Sequence, residues 1–149
     1  MISKILVPTD GSKTAQKAAR YGVDLAKQLK ASAIVLSVID QRSFTGVIVP
    51  AAKTTMHVIE PIEDYLREAA EWCAGEIKNL CDENDVQSKT VITKGHPVEE
   101  ILKEAKKSKA DLIVMGSHGR SALAAAVLGS VAYGVIHKDT KIPVLVVKK

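Results

Sequence analysis

The sequence predicts a single α/β domain: a doubly wound parallel sheet with helices on both faces. Three observations carry that prediction. Five short apolar runs alternate with four stretches of helical spacing. The runs are apolar almost throughout, as strands buried on both faces must be. The chain of 149 residues has the length of one ordinary domain and shows neither an internal repeat nor a linker. Strands alternating with helices place the helices over a parallel sheet. Right-handed crossovers then restrict the topology to doubly wound sheets.

The first run, Ile2 to Val7, closes on the turn cluster Pro8-Thr9-Asp10-Gly11-Ser12. Its short length and its Pro/Gly flank favour strand over buried helix. Ala15, Ala18, Ala19, Gly22, Val23, Ala26 and Leu29 then recur at helical spacing, an amphipathic helix of about five turns. Ala33 to Ile39 is the second strand, ending at Asp40. Gln41 to Pro61 shows no sustained period and holds Gly46, Pro50 and Pro61. A loop this long in a compact domain is usually functional or flexible. Ile62, Tyr65, Leu66, Ala69, Cys73, Ile77 and Leu80 mark a second long helix, and Lys89 to Thr93 a third strand. Gly95-His96-Pro97 opens a third helix, with Pro in its first turn and His96 at the capping position. Val98, Ile101, Leu102 and Ala105 form its buried stripe. Ala110 to Met115 is the fourth strand, followed by the turn Gly116-Ser117-His118-Gly119, a helix over roughly 121–137, and a last strand from Ile142 to Val147.

Composition narrows the function. Hydrophobic residues are 46% and charged residues 26% of the chain, ordinary for a globular protein. Aromatics are only 3%, too few for a single-strand nucleic-acid binder built on stacking. The net charge of +4 arises from 21 basic and 17 acidic residues, with the lysines interspersed among acids as on a solvated surface. Cys73 and Cys81 stand eight residues apart in a helical stretch. At ~1.5 Å per residue they are beyond disulfide reach. Two unpaired thiols fit a reducing cytoplasm, and no Cys/His cluster suggests a metal site. The opening segment lacks the layout of a signal peptide. The longest charge-free run, Ala122 to Ile136, is shorter than the ~20 residues a membrane span needs. The expectation is a cytoplasmic protein that engages neither membrane nor nucleic acid.

In doubly wound sheets, ligands bind beyond the carboxyl ends of the strands, where the strand order reverses. The residues to search are therefore Pro8 to Ser12, Asp40, Lys94 to His96, and Gly116 to Arg120. The last of these is the richest. Glycines let backbone N–H groups close on an anion, and a helix N-terminus adds partial positive charge, so phosphate is the natural guest. Gly129-Ser130 interrupts an otherwise good helical run. A glycine there costs about 1 kcal/mol against alanine and asks for a reason. One reason is a new helical turn whose N–H groups reach phosphate; the alternative is a tight turn at Gly116 and Gly119 with close helix packing at Gly129. The spacing matches neither the P-loop nor the dinucleotide fingerprint.

Gly116-x2-Gly119-x9-Gly129-Ser130, together with Ile5-Leu-Val-Pro-Thr-Asp-Gly-Ser12, Ile34 to Asp40, Ala110 to Arg120 and Ile142 to Val147, resembles the ATP-binding branch of the universal stress protein family along the whole chain. The resemblance implies a five-stranded sheet in order 3-2-1-4-5, of the adenine nucleotide alpha hydrolase type, with the reversal between strands one and four. It implies that Asp10 holds the ribose, Pro8 and Thr9 line the pocket, and the Val38 backbone reads adenine. Met115 and Gly116 would floor the site; Gly119, Gly129, Ser130 and Val131 would wrap the phosphates. The ligand implied is ATP, ADP or AMP, with Mg²⁺ a candidate bridge between phosphates. A homodimer through the last strands, Ile142 to Val147, is implied as well. Where family members often carry a glycine and a basic residue, this chain has Ala122, Ala124, Ala125 and Ala126, which leaves phosphate contacts there to the backbone.

The remaining polar residues have double readings. His118 and Arg120 are candidate ligand contacts, against a surface or capping role for the first and plain exposure for the second. Asp40 is a strand-end turn residue or a ligand or metal contact, and Cys73 a packing residue or a redox sensor. The leading function is regulatory: an adenine-nucleotide-binding stress-response protein without a dedicated catalytic or metal-binding set. The alternatives are a slow ATPase or nucleotide-transferring enzyme that uses Asp10 or Asp40 on Mg²⁺, and a nucleotide-free dimeric scaffold. A phosphoacceptor receiver domain fails, since only Asp10 follows strand one and strand three ends Thr93-Lys94-Gly95.

Overall fold

A computed structural model of the chain describes residues 1–40, 42, 56–119, 128–138 and 141–149, with residues 56–61 described by their backbone alone. Among the described residues nine elements follow in order: β1 (Lys4–Thr9), α1 (Lys13–Leu29), β2 (Ser32–Asp40), α2 (Met56–Glu83), β3 (Ser88–Gly95), α3 (Pro97–Ser108), β4 (Leu112–Gly116), α4 (Ser130–His137) and β5 (Val144–Val147). The strands form one parallel sheet in the order β3-β2-β1-β4-β5.

Strand periodicity sorts side chains onto two cores. On one face, Ile5, Val7, Val35 and Val114 pack with Ala19, Val23 and Ala26 of α1 and Ala74, Ile77 and Cys81 of α2. On the other, Leu6, Ile34, Leu36, Ile113 and Met115 pack with Val98, Ile101 and Ala105 of α3 and Ala132 and Val135 of α4. The helices occupy both faces, and the chain reverses direction across the sheet between β1 and β4. In sheets of this topology the crevice that takes ligands lies at the carboxyl end of those two strands.

Local signals set the helix ends. Ser12 caps α1 by accepting the Ala15 N–H at 3.1 Å. Lys30, at φ 54°, ends it with backbone bonds to Ala26 and Lys27. The third helix opens on Pro97, but His96, although at the N-cap position, makes no side-chain cap. Its backbone carbonyl accepts from the Glu100 N–H instead, at 3.0 Å.

Two helix starts and the burial of one expected core residue depart from the sequence reading. The second helix begins at Met56 rather than Ile62, so Pro61 lies inside it, where the ring removes one N–H from the ladder. Tyr65, expected on its apolar stripe, is 70% exposed, as Trp72 is at 63%. The fourth helix starts at Ser130, with Leu128 and Gly129 outside it, so no continuous helix runs through that glycine. Residues 120–127, which hold the alanine stretch, and the 41–55 segment apart from Arg42 lie outside the described residues.

The two edges of the sheet differ. The outer strand β3 shows Lys89, Thr90 and Lys94 to solvent, whereas every residue of β5 is a partly buried aliphatic. Cys73 and Cys81 are both buried, and neither is in a disulfide. Among the described residues, no helix is long and apolar enough to cross a membrane.

Asp111, just ahead of β4, ties that strand to the start of β1. Its Oδ2 accepts from the Ser3 N–H at 2.8 Å, the Ser3 hydroxyl at 2.9 Å and the Lys4 N–H at 3.0 Å. The Ser3 backbone donor, then its hydroxyl and the Lys4 N–H, hold the carboxyl below the usual carboxylate range. Because folding depresses this acid, its stabilisation is fully present above the unfolded value of about 3.9 and is lost as pH falls through the lower folded value. Asp111→Asn is expected to lower Tm at pH 7 by a few degrees. Thermal unfolding followed as pH is lowered below about 3.9 should bring the two proteins progressively together.

Candidate functional site

The crevice at the carboxyl ends of β1 and β4 opens into a cavity of about 480 Å³. Its first wall is the turn after β1. Thr9 is buried, and its Oγ1 accepts the Gly11 N–H at 3.1 Å. Gly11 sits at φ 78°, the left-handed region that favours glycine. Asp10, exposed at the mouth of the crevice, accepts the Ser12 N–H at 2.9 Å through Oδ1.

The opposite wall is built on Ser117. This residue is 1% exposed. Its N–H donates to the Val147 carbonyl at 2.9 Å, and its own carbonyl accepts the Gly129 N–H at 2.6 Å. One residue thereby joins the end of β4, the end of β5 and the entry to α4. The Ser117 hydroxyl lies 2.8 Å from Nδ1 of His118. A Cβ on Gly119 would stand 2.8 Å from Oδ2 of Asp10, so the two walls meet there. A Cβ on Gly129 would stand 3.2 Å from both the Ser117 carbonyl oxygen and the His118 Cα.

That last contact explains an unusual helix start. Helix N-termini leave their first N–H groups unpaired and ordinarily recruit Ser, Thr, Asp or Asn to cap them. The first helix has Ser12, and α3 has Glu99 and Glu100 in its first turn. The fourth has Gly129, no side-chain cap and no acid in its first turn. Its leading residues, Ser130, Val131 and Ala132, line the cavity. The result is a bare helix N-terminus with partial positive charge, facing the crevice.

The other end of the cavity is shaped by strand register. The β1–β2 ladder ends at Thr9↔Ser37, while β2–β3 runs on to Asp40↔Gly95. The Ser32 N–H donates toward β1, to Ser3, and the Ala33 N–H donates toward β3, to Gln87. Backbone direction alternates along a strand, so Val38 turns its N–H and C=O toward the gap where β1 has ended. Leu66, Ala69, Ala70 and Cys73 of α2 supply an apolar wall at the cavity. Asp40 also lines it, but both of its oxygens are taken by Arg42. The Arg42 Nη2 donates at 2.7 Å, Nε at 3.1 Å and the backbone N–H at 2.9 Å. The Arg42 guanidinium holds the Asp40 carboxyl below its ordinary range. Asp40 is thus a turn residue closed by its own neighbour.

Pro8, Thr9, Asp10, Val38, Met115, Gly116, His118, Gly119, Gly129, Ser130 and Val131 all line this one cavity. Arg120 lies outside the described residues. Sequence reasoning missed Ser117 and the α2 wall. The spacing of 66, 69, 70 and 73 was visible, but it reads equally as core. Among the described residues, no three His, Cys, Asp or Glu side chains gather as a metal site.

Comparison with known proteins adds the following. The model of the universal stress protein family matches residues 1–148. Universal stress protein MJ0531 of Methanocaldococcus jannaschii is 38% identical over 149 residues, covering 100% of this chain and 84% of that protein. The solved structure of MJ0577, from the same organism, superposes with a TM-score of 0.82 at 36% identity, over 100% of this chain and 97% of that one. A universal stress protein solved in complex with cAMP superposes with a TM-score of 0.62 at 26% identity, over 99% of this chain and 97% of that one.

Proposed function

The chain belongs to the universal stress protein family, and on that premise we propose that it binds an adenine nucleotide, ATP foremost, in the β1/β4 crevice as a regulatory stress-response protein. The observation that carries this reading is the uncapped N-terminus of α4, lining the same cavity as Asp10. A phosphate chain supplies the negative charge that the helix end lacks. The base lies at the other end, against the α2 wall. There the Val38 carbonyl accepts an amino group, as adenine presents and guanine at its six-position does not. Asp10 takes the ribose hydroxyls between them. That a family relative is solved in complex with cAMP supports an adenine nucleotide as the ligand class.

A Mg²⁺ bridging the phosphates belongs to the same reading, and Asp40, committed to Arg42, is not assigned to it. The aliphatic β5 edge is the surface we assign to pairing of two copies, and two buried cysteines outside any disulfide suit a reducing cytoplasm.

The test is a calorimetric titration of nucleotide-stripped protein with ATP and Mg²⁺. Saturation near one site per chain is expected. No heat and no thermal shift at millimolar ATP would overturn the reading and leave a scaffold acting through its surfaces.

A further inference from the structure

We propose that the Ser37 hydroxyl is a base-reading donor, which hydrogen-bonds a ring nitrogen of the purine on the α2 side of the cavity, beside the backbone of Val38. The proposal rests on the adenine-nucleotide reading of the site and deepens it. Ser37 is the one polar residue within the run Ala33 to Ile39, and it is 3% exposed. Strand register fixes the side it faces. Ser37 pairs with Thr9 of β1 and Ile92 of β3, and neighbours across a parallel ladder point to the same face of the sheet. Ile92 packs on the core shared with α1 and α2, as does Val35 two residues before Ser37. Ser37 therefore stands on the α2 face. There Leu66, Ala69 and Ala70 form the apolar side of the cavity, and Ser37 lines the cavity with them.

A buried hydroxyl is costly without a partner. Among the described residues the Ser37 hydroxyl makes no hydrogen bond, and it is not shut into the interior as the Ser88 and Thr93 oxygens are. Alanine or valine would complete this face without that cost, as Ala33 and Val35 do in the same strand. The hydroxyl of Thr9, across the ladder, is already engaged by the Gly11 N–H. The space before Ser37 is bounded by aliphatic side chains, so the ligand atom that suits it is an acceptor carried on a flat, apolar body. A ring nitrogen of a purine is such an atom. A phosphate is disfavoured, because its charge would lie against the apolar wall. Val38, the next residue, turns its N–H and C=O toward the gap beyond β1. Consecutive residues thus address one base, the backbone its exocyclic amino group and the hydroxyl a ring nitrogen.

The experiment is a calorimetric series against wild type and Ser37→Ala, with thermal unfolding of both. The ligands are ATP and its three analogues in which ring nitrogen one, three or seven is replaced by C–H. Alanine leaves a small residue opposite Ala69 and Ala70, so the variant should keep its fold. Expected is an ATP affinity about three- to tenfold lower in Ser37→Ala, the order of one net hydrogen bond. One analogue should bind the wild type more weakly by a similar factor and lose nothing further in Ser37→Ala. The other two should lose affinity in the variant as ATP does. Unchanged ATP binding in Ser37→Ala, or an equal loss for ATP and all three analogues, would overturn the proposal and leave the nucleotide reading standing. No ATP binding by the wild type would overturn the nucleotide reading and this proposal with it.

Discussion

Gly129→Val is expected to lower ATP affinity by at least about 30-fold, the equivalent of roughly 2 kcal/mol, with most of the fold retained. The glycine is not required by its backbone angles. At φ −72° and ψ 165° it is ordinary extended chain. It is required by distance, since a Cβ would meet the Ser117 carbonyl and the His118 Cα at 3.2 Å and the Gly119 nitrogen at 3.5 Å. All three are backbone atoms, so relief comes only by moving the 117–119 turn or the start of α4. Either displaces the N–H groups assigned to the phosphates, and valine adds two methyl groups to the conflict. Calorimetric titration beside thermal unfolding separates the effects. A variant that binds ATP as tightly as wild type would remove the helix end from the site.

The largest stability effect is expected further along, in the middle of α4. A Cβ on Gly134 would lie 2.6 Å from Cγ2 and 3.3 Å from Cγ1 of Val98, a buried residue in the first turn of α3. Val98 is short and β-branched, with no flexible end to swing aside. Gly134→Val should therefore cost about 2–3 kcal/mol, at the upper end for overpacking, and lower Tm by roughly 4–12 °C. Adding Val98→Ala should return part of that loss, and a double-mutant cycle in urea measures how much. Additive effects would show that the two helices do not press on each other there.

Much of this architecture was legible because the inner strands are buried on both faces. Ile5, Leu6 and Val7, or Ile113 and Val114, leave little choice of conformation. The outer strand β3 was read short because Ser88, Lys94 and Gly95 join it through the backbone ladder to Ala33, Ile39 and Asp40, and hydrogen bonding leaves no hydrophobic trace. The early start of α2 was hidden by Pro61, which looks like a breaker from sequence. At the site, topology and glycine spacing pointed to strand ends that line one cavity. The α2 wall was invisible, because Leu66, Ala69, Ala70 and Cys73 carry the same pattern whether they face a core or a cavity. Ser117 was passed over for a related reason: nothing in a serine between two glycine-containing turns says that it is enclosed.

The unequal edges of the sheet carry a consequence for assembly. Charge and polarity guard the β3 border, while β5 offers an aliphatic one. A sheet open to extension on a single side has a valence of one. Were two copies to join β5 to β5, as proposed, that valence would be used up in both and two guarded borders would face outward, so growth would end at a pair and a fibre would have no place to start.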